Sequence, residues 1–330
     1  MSHTPYQVIY DTDPGVDDAM ALYFALAHPA INVLGIGTTF GNVTVEQAAT
    51  NAVYLSALAG RNIPVTKGAA RPLRRPKPVP PAHIHGTDGL GNLPTRLPVE
   101  GRFDRRSSAQ FMVDMARARP GEITLVAVGP LGNLSLALRL EPRLPRLLRE
   151  VVLMGGTLLE PGNVSPVAEA NIWNDPHAAQ HVFQAGWNKL TMVGLDVTHR
   201  VILPLSLFKK IADQQRHVAT DTLHHAVSFY AKHYSGRHPH VARVHGCFGH
   251  DVLAFLYLVN PELFTLERGR VRVATSGPAL GQTLMSRKEP AHHPKASGHL
   301  DPSFTQVCMQ VDAEACSTVI ENTMLGRWLG

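Results

Sequence analysis

Cysteine is scarce in this chain of 330 residues: Cys247, Cys308 and Cys316 form an odd set with no CxxC pair. No disulfide framework is expected, which fits a reducing compartment. The start MSHTPYQVIYD lacks an apolar core segment, and no window approaches the roughly 20 uninterrupted apolar residues of a membrane span. Internal repeats, low-complexity blocks and linkers are missing as well. A soluble, cytoplasmic, single-domain protein over 1–330 with no membrane partner is therefore expected. The net charge of +5, from 31 basic and 26 acidic residues, lacks the basic stripe with interleaved aromatics that a nucleic-acid binder needs. Its dense basic run, Arg71 to Lys77, is mixed with prolines and reads as a solvated loop, so no nucleic-acid partner is expected.

What the chain does have is an acidic octet, Asp11-Thr12-Asp13-Pro14-Gly15-Val16-Asp17-Asp18, between the apolar run Val8-Ile9-Tyr10 and the apolar-periodic run Ala19 to Phe24. The context is strand, tight turn, helix. Carboxylates near 4 Å repel by about 4 kcal/mol per pair at an effective dielectric of 20, so a positive charge is expected among them. Pro14 pre-sets its φ, Gly15 allows a sharp turn, and Asp17 and Asp18 open the helix where its dipole favours anions. Because the octet offers oxygens and neither Cys nor His, the donor chemistry favours Ca²⁺ or Mg²⁺ over Zn²⁺. Taken singly, Asp17 and Asp18 read as first-turn helix acids and Asp11 as a turn residue. Four together at a strand's carboxyl end read as a ligand site.

Strand and helix signals alternate along the chain. Ile31 to Ile36 reads as a strand; Thr44 and Gln47 form a capping box for a helix to Gly60; Ile63-Pro64-Val65 is a short strand. Ser107 or Ser108 caps a helix to Arg119, and Asp175-Pro176 starts another. Ile123 to Val128, Val151 to Met154 and Thr191 to Leu195 are further buried strands, whereas 270–274, 283–285 and 305–311 read as antiparallel additions. The fold class is α/β: a single, largely parallel Rossmann-like sheet with antiparallel additions and helices on both faces. The proline-rich arm from Arg71 to Pro81 is expected beside the site as a flap. Asp13, Asn42, Val128-Gly129 and Met154-Gly155 all follow strand ends, so they should line one crevice.

These residues together resemble the inosine-uridine preferring nucleoside hydrolase family, Ca²⁺-dependent enzymes that cleave the N-glycosidic bond of ribonucleosides. DTDPGVDDA is similar to the family signature, and Phe40-Gly41-Asn42, His83-Ile84-His85-Gly86, Glu150 to Gly156, Glu169-Ala170-Asn171 and His250-Asp251 follow in the family's order. The resemblance implies that Asp13, Asp18, Asp251 and the backbone carbonyl of Val128 hold calcium. It implies that Asp17, Asn163, Glu169 and Asn171 grip the ribose, with Asn42, His85 and Met154 as further pocket positions. Tyr230 and Tyr234 fall where the family places tyrosines over the base. A homo-oligomer, dimer or tetramer, with a small ribonucleoside substrate is implied too. The family often has proline after the His-Asp pair, where this chain has Val252, and its 235–249 loop is unusually rich in histidine.

The residue types suit that chemistry. Cleaving a ribosyl C–N bond leaves an oxocarbenium-like sugar, which needs an activated water, nearby anions and help for the departing base. Asp13 would accept the water's proton, and His250, with an unperturbed pKa of about 6.5, would protonate the base. A helix N-terminal role beside Asp251 is the plain alternative for His250. Two rival functions are open at this point: an Mg²⁺-dependent phosphatase with Asp11 as nucleophile and Asp13 as acid, and a calcium-dependent nucleoside-binding protein without turnover.

Overall fold

The structure, a computed structural model, describes residues 4–287 and 304–329. The remaining residues of the expected 1–330 domain lie outside the described residues. In chain order the strands are β1 (Tyr6–Thr12), β2 (Ile31–Thr38), β3 (Pro64–Lys67), β4 (Arg102–Ser107), β5 (Ile123–Ala127), β6 (Glu150–Met154), β7 (Leu190–Val193), β8 (Ile202–Pro204), β9 (Gly246–Phe248), β10 (Phe264–Val273), β11 (Thr283–Ser286) and β12 (Thr305–Val311). A sheet of ten runs in the order β11-β10-β12-β7-β6-β5-β1-β2-β3-β4, and β8 pairs with β9 apart from it. From β12 to β4 every pairing is parallel. Antiparallel pairing is confined to β10, with β12 on one side and β11 on the other. The three tail strands pair antiparallel through β10 as expected, and β12 in addition lies parallel against β7.

Strand order fixes where a ligand can sit. From β1 the chain winds outward through β2, β3 and β4, then returns to β5 on the other side of β1 and winds the opposite way. Helices leave in opposite directions from the carboxyl ends of β1 and β5, and a crevice opens there.

Pleating sorts the core. Val8 and Tyr10 face a layer containing the helices Val16–Ala27, Val218–Ser235 and Val252–Val259, while Ile9 faces one containing Ser108–Ala118, Gly132–Leu140 and Pro176–Phe183. Period-2 alternation continues through the end of β1: Thr12 joins the Tyr10 face and Asp11 the Ile9 face. The expected caps form, with Thr44, Ser107 and Asp175 accepting from the amides of Gln47, Gln110 and Ala178. No helix among the described residues is long and apolar enough to cross a membrane.

Candidate active site

The helix Val16–Ala27 begins immediately beyond β1, and Asp18 ties its start together. Its Oδ2 accepts the Gly15 amide at 2.8 Å and the Asn42 side-chain Nδ2 at 2.9 Å. Its Oδ1 accepts the Asp13 amide at 3.2 Å and the Thr12 hydroxyl at short range. Gly15 is not left-handed, with φ −95°. Glycine is needed there for room: a Cβ would lie 2.6 Å from His85 Nδ1 and 2.9 Å from Asn42 Nδ2. Asn42 completes the tie by donating its backbone N–H to Asp13 Oδ2 at 2.6 Å.

Asp13, Asp18 and Asp251 are at most 2% exposed, and Asp17 is also buried. Oxygens of Asp17, Asp18 and Asp251 lie within 4.8 Å of one another. Burial, then neighbouring carboxylates, pushes Asp13 and Asp251 far above the usual range. Burial also lifts Asp17 to about 6 and Glu169 to about 7. Among the described residues, neither Lys nor Arg lines the cavity above these acids. His85 cannot compensate, because burial pushes it down to about 4 and its Nδ1 accepts the Val16 amide at 3.2 Å. Its 3.9 Å approach to Asp17 is accordingly not an ion pair.

Two carboxylate oxygens in this cluster, Asp13 Oδ1 and Asp17 Oδ1, are buried without a hydrogen-bond partner. Leaving such atoms unmatched costs about 1–3 kcal/mol each, more when charged. Buried anions, free lone pairs, an all-oxygen donor set and no basic side chain together fit a hard divalent cation. The mutually close trio includes Asp17 where the sequence reading has Asp13. Asp13 and Asp17 each carry a buried oxygen without a hydrogen-bond partner.

An inner cavity of about 80 Å³ lies over this floor, lined by Asp17, Asn42, His85, Val128, Met154, Asn163, Glu169, Asn171, Tyr230, Tyr234, His250 and Asp251, with Pro81, Ile84 and Ala170. Every site residue expected from the sequence is brought together here, Asp13 and Asp18 forming the floor behind the lining. Asn171 Nδ2 donates to the Val128 carbonyl at 2.8 Å and to the Met154 carbonyl at 3.2 Å, joining two strand ends. Glu169 accepts the amides of Asn171, Gly156 and Ile172 and caps its helix. Asn163 Oδ1 accepts the Ala170 amide at 3.0 Å.

On the opposite wall a hydrogen-bonded chain runs from acid to imidazole. Tyr230 donates to Asp17 Oδ2 at 3.1 Å and meets Tyr234 at 3.0 Å, and the Tyr234 hydroxyl lies 3.1 Å from His250 Nε2. His250 Nδ1 is 2.8 Å from the Thr198 hydroxyl, a partner that sequence reading does not supply. Burial and then the imidazoles of His199, His85 and His238 hold His250 well below its ordinary value. In the cation-free protein that environment favours the neutral imidazole, whereas the sequence reading takes His250 near its unperturbed value.

Beyond this cavity, sharing Asn42, Pro81, Ile84, Asn163, Ala170 and Tyr234 with it, lies an outer chamber of about 520 Å³. His83, His199, His233, His238, Arg237 and Trp173 contribute to its walls. His199 stacks on Phe248 with ring centroids 4.7 Å apart and approaches Glu160 at 3.6 Å. The proline-rich arm borders this chamber through Pro78, Val79 and Pro81 and is pinned farther back. Asp175 Oδ2 accepts the Leu73 amide at 2.9 Å, and the Arg75 guanidinium lies 4.0 Å from the Trp173 ring.

Asp11 does not join the cluster. Being on the Ile9 face of β1, its Oδ1 accepts Asn133 Nδ2 at 2.8 Å, and it does not line the cavity. Convergence of all four octet acids is thus corrected to three plus Asp251. The phosphatase reading loses the nucleophile it requires.

Solved structures of the same architecture are nucleoside hydrolases. A plant nucleoside hydrolase superposes with a TM-score of 0.88 at 32% identity, covering 98% of this chain and 99% of that one. A purine-preferring ribonucleoside hydrolase from Gardnerella vaginalis does so at 0.87 and 30%, covering 97% and 98%. Fold and site thus define a nucleoside hydrolase, an enzyme acting on N-glycosyl bonds. Residues 8–318 match the model of the inosine-uridine preferring nucleoside hydrolases. Probable uridine nucleosidase 2 of Arabidopsis thaliana is 37% identical over 321 residues, 97% of each chain. The chain belongs to the inosine-uridine preferring nucleoside hydrolase family.

Proposed function

We propose that the protein hydrolyses the N-glycosidic bond of ribonucleosides to free base and ribose in a Ca²⁺-dependent reaction. The observation that carries this reading is the floor of the inner cavity, where buried carboxylates hold unmatched oxygens and, among the described residues, no Lys or Arg neutralises them. Asp13, Asp18, Asp251 and the Val128 carbonyl would hold the cation, with Asp17 close enough to share it. When bound, such an ion lowers the pKa of a water and orients it beside a vicinal diol.

Asp13 accepts the attacking water's proton through its free Oδ1, while the Asn42 amide fixes Oδ2 and so aims the carboxylate. Asp17, Asn163, Glu169 and Asn171 surround the sugar, placing negative charge where an oxocarbenium-like centre develops. The departing base lies toward His250. His250, hydrogen-bonded at the end of the Tyr234–Tyr230–Asp17 chain, would support the base by a hydrogen bond at the point where it gains electrons.

A panel of ribonucleosides incubated with purified protein and Ca²⁺, assayed for both free base and free ribose, tests the proposal. Ribose release matched mole for mole by base is expected. Tight binding without release would favour a nucleoside-binding protein, and phosphate release from phosphomonoesters alone would favour a phosphatase. The relatives differ in their named preferences, uridine in one and purines in the other. The outer chamber, whose walls are not set by the acidic motif, is where that choice is made.

A further inference from the structure

Asn133, fully buried in the first turn of the helix Gly132–Leu140, lines neither the inner cavity nor the outer chamber. The two polar atoms of its side chain are nevertheless spent on the ends of three strands. Nδ2 donates to Asp11 Oδ1 of β1 at 2.8 Å and to the Thr38 carbonyl of β2 at 3.0 Å. Oδ1 accepts the Ala69 amide, two residues past β3, at 2.7 Å. Two glycines leave space for this knot: a Cβ at Gly68 would lie 2.0 Å from Asn133 Oδ1, and one at Gly37 would lie 2.6 Å from Asp11 Oδ1.

Ala69 passes the constraint onward. Its carbonyl accepts the Phe40 amide at 3.0 Å and the Thr39 hydroxyl at 3.3 Å. Asn133 and Ala69 therefore hold residues 38–40, the entry to the turn that presents Asn42, whose amide grips Asp13 Oδ2 at 2.6 Å and whose side chain grips Asp18 Oδ2 at 2.9 Å. We infer that Asn133 is a positioning residue for the reaction: it seats the 38–42 turn so that Asn42 aims the Asp13 carboxylate. This inference rests on the reading of Asp13 as a cation ligand and proton acceptor.

A residue tied to three strand ends could instead serve stability alone, so the test must separate the two. Three proteins are compared: Asn133→Ala, Asn133→Asp, and Asn133→Asp combined with Asp11→Asn. In the double variant the amide and the carboxylate exchange places, which restores the β1 bond while leaving an oxygen opposite the Thr38 carbonyl. Hydrogen exchange at the amides of Phe40 and Asn42 is measured on chelator-stripped protein, where no turnover enters. Ca²⁺ affinity, kcat and KM follow on the folded fraction.

Asn133→Ala is expected to speed exchange at both amides at least tenfold, weaken Ca²⁺ binding at least tenfold and lower kcat at least tenfold, with KM changed less than threefold. Asn133→Asp should lose more than Asn133→Ala, and the double variant should recover part of that loss. A lowered melting temperature with exchange at Phe40 and Asn42, Ca²⁺ affinity and kcat all within threefold of the parent would overturn the inference. So would a double variant no better than Asn133→Asp. If the parent releases no ribose, the reading of function fails by itself, and the exchange and affinity results still decide the role of Asn133.

Discussion

The inner cavity and the outer chamber touch the same turn at Asn42 but are built on different plans. The inner cavity is floored by acids at loop–helix junctions, and its polar groups are tied to backbone amides of the loops that follow strand ends of the sheet. The outer chamber is walled by His83, His199, His233, His238 and Arg237, side chains brought from separate segments that lie outside the large sheet. Sugar chemistry needs fixed charge, and a strand end supplies it. Base recognition needs adaptable shape, which segments off the sheet can vary without disturbing the floor.

The contrast is most severely tested at Asp13. Asp13→Ala should lower kcat for any ribonucleoside by roughly 10³-fold or more, the scale of a lost general base that also holds the cation. A steady-state assay that finds near-parental turnover would detach the floor from the chemistry.

Next in size is His250, which lines the inner cavity and whose ring lies 5.6 Å from that of His199 of the chamber. His250→Ala should cost roughly 10²-fold on natural ribonucleosides and less than about tenfold on p-nitrophenyl riboside, whose leaving group needs little protonation. Equal losses on both substrates would remove the imidazole from leaving-group support.

Smaller effects belong to the chamber. His199→Ala or His238→Ala should change kcat/KM by about tenfold or less, by different factors for purine and pyrimidine ribonucleosides, because single contacts discriminate weakly. Uniform loss across bases would show that the chamber does not choose among them.

The smallest predicted signal is in stability. Asp17 and Glu169 have folded-state values raised to about 6 and 7 by burial, so in cation-free protein they favour folding while protonated. That contribution is full below their unfolded values near 4 and is lost as pH rises toward 7. Melting temperature of chelator-stripped protein should therefore fall between pH 4.5 and 7.5, and Ca²⁺ should raise it more at the upper pH. Asp11, raised to about 7 on the other face of β1, should keep its share of the pH dependence when Ca²⁺ is present.

Much of the floor was legible in the sequence because proximity along the chain became proximity in space: Asp13, Asp17 and Asp18 sit within one turn of each other. Asp11 was misplaced by the same logic. Linear spacing says nothing about pleat, and period-2 alternation sends it to the opposite face from Thr12. The buried parallel strands were legible as continuous apolar runs, but β4, with sequence RFDRRS and mostly exposed, was not. A charged sheet edge carries no burial signal. Likewise β10 begins at Phe264, where the charges of Glu267, Arg268 and Arg270 mask its start. Thr198 beside His250, Asn133 beside Asp11 and the four imidazoles of the chamber meet only through long-range topology. No local pattern could have announced them.

Ribose release by chelator-stripped protein, with and without added Ca²⁺, tests the central claim most directly. No release in excess EDTA and recovery of the full rate on saturating Ca²⁺ is the predicted result. Undiminished hydrolysis of a ribonucleoside in excess EDTA would contradict it.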